Sequence, residues 1–67
     1  MPTDDSDLGE VYFEFRAIGS VVRVAAVHAA TGVETVVMGP ATAATADLQR
    51  LALGKLRMSL ARMSANR

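Results

Sequence analysis

The chain contains no cysteine. That excludes disulfides and thiolate metal sites, and it suits a reducing cytoplasm. Histidine occurs once, as His28. Zinc normally takes three or four protein ligands, so no metal centre is expected. Aromatic residues are scarce: Tyr12, Phe13 and Phe15 are all of them. With both phenylalanines assigned to the core, the stacking platform of a single-strand nucleic-acid binder is missing. Long apolar runs are missing too. Arg23, His28, Glu34 and Pro40 interrupt the region from Val21 to Ala46, far from the ~20 uninterrupted apolar residues of a membrane span. Met1 to Asp7 is acidic and precedes no signal-peptide core. A soluble cytoplasmic protein is expected.

Catalytic signatures are equally thin. Ser6, Ser20, Ser59 and Ser64 fall in tail, turn or helix, and none stands in a nucleophile-elbow sequence. Gly54-Lys55 lacks the glycine spacing and the following hydroxyl residue of a phosphate loop. Gly32 and Gly39 read as punctuation, not as a dinucleotide fingerprint. The carboxylates are scattered, with no apolar pocket evident to shift them. Neither an enzyme nor a cofactor is expected.

What is present is apolar character and segregated charge. Hydrophobic residues make up 51% of the 67, enough for one small folded domain. A core of that size seldom supplies more than ~3–5 kcal/mol, and oligomerisation is the supplement available here. A homodimer is therefore expected. The formal net charge is zero, yet the first 46 residues hold six carboxylates against Arg16 and Arg23, while Arg50, Lys55, Arg57, Arg62 and Arg67 follow Asp47.

In chain order, residues 1–9 read as a disordered acidic tail and 10–64 as the domain. Glu10 to Ile18 alternates, with Val11, Phe13 and Phe15 on one face, the signature of a half-buried strand. Gly19-Ser20 is a tight hairpin turn into a valine-rich second strand. That turn sets Phe15 opposite Val24, Phe13 opposite Ala26 and Arg16 opposite Arg23. Ala30-Thr31-Gly32 reads as a three-residue loop into a third strand, Val33 to Met38. It pairs Ala29 with Val33, places Val36 and Met38 on the core face with Phe13, Phe15, Val22, Val24 and Ala26, and sets His28 opposite Glu34 at the rim. Gly39-Pro40 ends the sheet.

A long amphipathic helix follows, Thr42 to Met63, with Thr42 as N-cap and Thr45 as the alternative. Leu48, Ala52, Leu53, Leu56, Leu60 and Met63 form its buried stripe, with Gln49 awkwardly within it and Gly54 on the polar side. The fold class is α+β: a three-stranded antiparallel meander followed by one helix, βββα, dimeric.

The residues Phe15, Ile18-Gly19, Val22-Arg23-Val24, Ala29-Ala30-Thr31-Gly32, Glu34 and Gly39-Pro40-Ala41 resemble a family of short uncharacterised bacterial proteins, over roughly Glu10 to Leu60. His28 stands where aspartate is common in that pattern, which argues against an essential imidazole. The resemblance implies no activity, substrate or catalytic residue.

The functional expectation is a small interaction module acting through homodimerisation or a protein partner. Its candidate partner surface is Leu51, Lys55, Met58 and Arg62, which lie outside the buried stripe. The alternative is a weak nucleic-acid accessory protein whose basic helix tracks phosphates, with Arg50 and Arg57 as the candidate contacts.

Overall fold

The computed structural model describes residues 2–5 and 7–65. It is an α+β fold in which antiparallel strands precede a C-terminal helix. The strands are β1 (Pro2–Asp5), β2 (Gly9–Ile18), β3 (Val21–His28) and β4 (Glu34–Pro40), and the helix is α1 (Thr45–Ala65). Strand order in the sheet is β1-β2-β3-β4, so every pairing joins chain neighbours.

The β2–β3 hairpin has the register that the Gly19-Ser20 turn dictates. Phe13 pairs with Ala26, Phe15 with Val24, and Arg16 with Arg23. Gly19 takes a φ of 61° while no residue other than glycine, among the described residues, has a positive φ. A positive φ at the first turn position alone is the II′ geometry that matches strand twist.

Three expectations are corrected. First, Pro2–Asp5 is a strand paired antiparallel with β2, Thr3 opposite Val11, where an acidic tail was expected. Met1 and Ser6, covered by the same expectation, lie outside the described residues, as does Arg67. The apolar-to-polar pattern of Pro2 to Asp5 carries no strand signal, and backbone pairing to the edge of β2 forms it regardless.

Second, the β3–β4 register is shifted by one residue. The His28 N–H donates to the Val33 carbonyl at 2.8 Å, and Gly32 N–H to the His28 carbonyl at 2.7 Å. The loop therefore holds four residues, Ala29 to Gly32, rather than three. Gly32 supplies the left-handed conformation, φ 75°. Val24 consequently pairs with Val37 and Ala26 with Thr35. Because side chains alternate, the shift moves every β4 residue to the other face. Thr35 and Val37 face the helix, while Val36 and Met38 lie on the open face. Glu34 pairs with Val27 and is not opposite His28.

Third, α1 begins at Thr45. Ala44 occupies the cap position, its carbonyl accepting from Asp47 and Leu48 N–H at 3.0 and 3.2 Å, so neither Thr42 nor Thr45 is the N-cap. Gly39 and Pro40 belong to β4. Gly39 has a packing role: a Cβ there would come 2.5 Å from Leu48 Cδ2, so glycine lets the helix start lie directly on the sheet.

The core is Val11, Phe13, Val24 and Ala26 from the sheet with Leu48, Ala52 and Leu56 from α1. Leu53 and Leu60 pack at its margin. The helix lies over β3 and β4, which leaves two more members of the expected core outside it, besides Val36 and Met38: Phe15 is 42% and Met63 49% exposed. Buried Thr35 was not foreseen; its hydroxyl donates to the Ala52 carbonyl at 3.1 Å.

Candidate interaction surfaces

The helix strip singled out from sequence is where the wheel puts it. Leu51 and Met58 are 62% and 63% exposed. Lys55, between them, bends back to the sheet and donates from Nζ to the Val36 carbonyl at 2.9 Å. Arg62 donates to Ser59 Oγ at 3.3 Å on its own helix. The strip is thus two apolar side chains separated by a lysine anchored to β4.

The two candidate phosphate contacts each meet a carboxylate. Arg50 pairs with Asp47 at 3.2 Å, and Arg57 with Asp7, from the turn before β2. Exposed pairs of this kind are worth about 0–1 kcal/mol and are screened by salt. The structure does not gather Arg50, Lys55, Arg57 and Arg62 into one basic cluster free of partners.

His28 is buried and fully engaged. Nε2 lies 2.8 Å from the Leu8 carbonyl, which can only accept, so Nε2 carries a proton. Nδ1 lies 2.7 Å from Thr31 Oγ1, and Thr31 Oγ1 in turn accepts from Val33 N–H at 3.3 Å. The imidazole ties the turn before β2 to the β3–β4 loop. Beside it, Leu8, Thr31, Leu60, Met63 and Ser64 line an open groove of about 440 Å³. A second shallow groove is lined by Ala46, Gln49, Arg50 and Leu53, which puts half-buried Gln49 at the helix margin. Among the described residues there is no group of three or more potential metal-ligating side chains, and no helix is long and apolar enough to cross a membrane.

A further uncovered surface is the sheet face turned away from α1. Alternation places Glu10, Tyr12, Glu14, Arg16 and Ile18 of β2 there, with Val21, Arg23, Ala25 and Val27 of β3 and Glu34, Val36 and Met38 of β4. Tyr12, Ile18 and Met38 are 43%, 51% and 58% exposed. Arg23 reaches Glu14 at 3.9 Å and Glu34 at 3.7 Å. Glu14 is opposite Ala25 and Glu34 opposite Val27, so the Arg23 stem must run along β3 across Ala25. This explains why Ala25 is buried on a face that no helix covers. At the far end the Tyr12 hydroxyl donates to Glu10 Oε2 at 3.0 Å. That hydrogen bond, and then the adjacent negative charge, raise the phenol's pKa above its ordinary value.

Sequence reasoning put Val36 and Met38 on the core face, and the structure puts them on the open one. The signal that would have corrected it is the four-residue loop, which Gly32 alone does not distinguish from a three-residue one.

No curated protein matches the chain, and no solved structure matches it. A family model does match, over residues 8–63, which spans β2 through all but the last two residues of α1. The chain belongs to the family described as a domain of unknown function, DUF6898.

Proposed function

We propose that the protein is a small non-enzymatic interaction module acting through homodimerisation or a protein partner, in the bacterial cytoplasm to which the family resemblance and the absence of cysteine point. The observation that carries this reading is the one-sided architecture. One helix covers one face of the sheet, and Tyr12, Ile18, Val21, Val27, Val36 and Met38 share the other. A sheet face that carries these apolar side chains among its charges, on so small a domain, is the kind of surface that a partner covers. The exposed Leu51 and Met58 add a second, smaller surface on α1.

The alternative, weak nucleic-acid binding by Arg50, Lys55, Arg57 and Arg62, ranks second. Each of those side chains has an intramolecular acceptor that a phosphate would have to displace.

Sedimentation of the full chain at micromolar to millimolar concentration, with and without mixed-sequence RNA and DNA, tests the two readings. The module reading expects concentration-dependent association that nucleic acid leaves unchanged. A chain that stays monomeric alone and shifts only with nucleic acid, reversibly with salt, would replace it with the alternative.

A further inference from the structure

We propose that the open sheet face, and not a strand edge or the helix, is where a second copy of this chain packs, and that Glu10 and Arg16 set its direction. This rests on the reading of the protein as an interaction module.

The edges are closed to strand addition. The hydrogen-bonded pair His28–Val33 fixes the alternation along β4. Thr35, Val37 and Gly39 turn their backbone groups to β3, and Glu34, Val36 and Met38 turn theirs outward. The outward Val36 carbonyl is occupied by the Lys55 ammonium, and Pro40 at the end of the strand has no N–H to offer. The opposite edge is β1, a four-residue strand of sequence Pro-Thr-Asp-Asp. Short length, proline, acidic residues and lysine are the devices that keep sheet edges from pairing. The helix strip offers only Leu51 and Met58, with Lys55 between them. The open face is larger: four strands at ~4.8 Å spacing and roughly 3.4 Å per residue give a surface on the order of 20 by 25 Å. That is about 500 Å² per copy, roughly 1,000 Å² in total, the size of a weak, concentration-dependent interface.

The charges on this face are arranged for a copy of itself. Along β2 they run Glu10, Glu14, Arg16. Arg23 leans away from Arg16, which it faces across the strands, to reach Glu14 and Glu34. Arg16 is left with no carboxylate partner among the described residues, and Glu10, at the other end, holds only the Tyr12 hydroxyl. The face is therefore positive at the Ile18 end and negative at the Glu10 end.

A two-fold axis running across the strands at the level of Phe13 lays β2 antiparallel over the same strand of a second copy. Glu10 then meets the second copy's Arg16, and Arg16 the second copy's Glu10. One operation makes both pairs, as an isologous interface requires. It also lays Val27 over the second copy's Ala25, and sets Tyr12 beside that copy's Glu14 and Val36 beside its Glu34, between two aligned sheets. A parallel stacking would set like charge on like.

The test is a charge-swap series on the full chain, read by sedimentation equilibrium at low salt. The wild type is expected to dimerise with a Kd on the order of micromolar. Glu10→Arg and Arg16→Glu should each weaken the dimer about tenfold or more, and the double variant should recover most of the loss. Both side chains are exposed, so far-ultraviolet circular dichroism should stay unchanged and separate lost association from lost folding. Leu51→Glu with Met58→Glu should leave Kd unaltered. Tyr12 is the only tyrosine and there is no tryptophan, so its fluorescence reports the face directly, and acrylamide quenching should fall as concentration rises and dimer forms. A dimer lost in the helix variant and intact in the charge variants overturns the sheet-face assignment while leaving the module reading standing. A wild-type chain that remains monomeric at millimolar concentration overturns the self-association proposed here, and leaves only a different protein partner for the module.

Discussion

Thr35 and Ala52 meet at the point where the helix comes nearest to the sheet, and the contact between them is polar. Thr35 Oγ1 donates to the Ala52 carbonyl within a buried setting. Thr35→Val keeps the volume and removes the donor. The Ala52 carbonyl is helix-interior and retains its helical partner, so no orphan is created. The expected cost is about 0.5–1.5 kcal/mol, seen as a lower urea midpoint with an unchanged slope. Nothing in the sequence marks Thr35 for this role, because the expected register put it on the open face. His28 was legible as a structural residue, since a lone histidine without grouped ligands has little chemistry available. Its true partners were not legible. Leu8 lies twenty residues away and before the expected start of the domain, and Thr31 approaches only because the loop holds four residues.

The helix was the easiest element to read, and Gly54 was its unexplained residue. The structure gives no reason for a glycine there: it is exposed, its φ is not in the left-handed region, and an added Cβ would meet nothing within 4 Å. Gly54→Ala should therefore stabilise the fold by about 0.5–1 kcal/mol through helix propensity. In a domain of this size that raises Tm by roughly 4–8 °C per kcal/mol, measurable by thermal circular dichroism. An unchanged or lowered Tm would mean that Gly54 has a contact outside the monomer. The strands were legible to different degrees. The β2–β3 register followed from a turn whose chemistry admits one geometry. The β3–β4 register did not, because Val36 and Met38 are as apolar as Thr35 and Val37, so the pattern could not choose between faces. β1 has no hydrophobic pattern at all, and only its partner strand defines it.

The whole molecule is thin, with principal extents of 40, 22 and 16 Å. A helix on one side of a sheet makes two layers and leaves a third position vacant. Association that fills it couples folding to concentration. If copies bind in the folded state only, Tm must rise as the protein is concentrated. Calorimetry from about 5 to 500 µM should show an upward drift of Tm, with Arg16→Glu melting lower than the wild type at each concentration. A Tm independent of concentration would place the stability within the monomer. The α+β class, the meander and the C-terminal helix could all be read from periodicity and turn residues. The surfaces could be read only in outline, because which side a residue faces depends on a loop length that the sequence leaves open.

The sequential strand order has a further bearing on how the chain is made. All four strands precede the helix, and synthesis runs in the same direction. The hairpins can close as they emerge, each from neighbouring residues. Val11, Phe13 and Val24 nonetheless stay bare until Leu48, Ala52 and Leu56 have been added. For that interval the nascent sheet has two apolar faces, and the chain's exposure to misassembly is greatest just before its last third is complete.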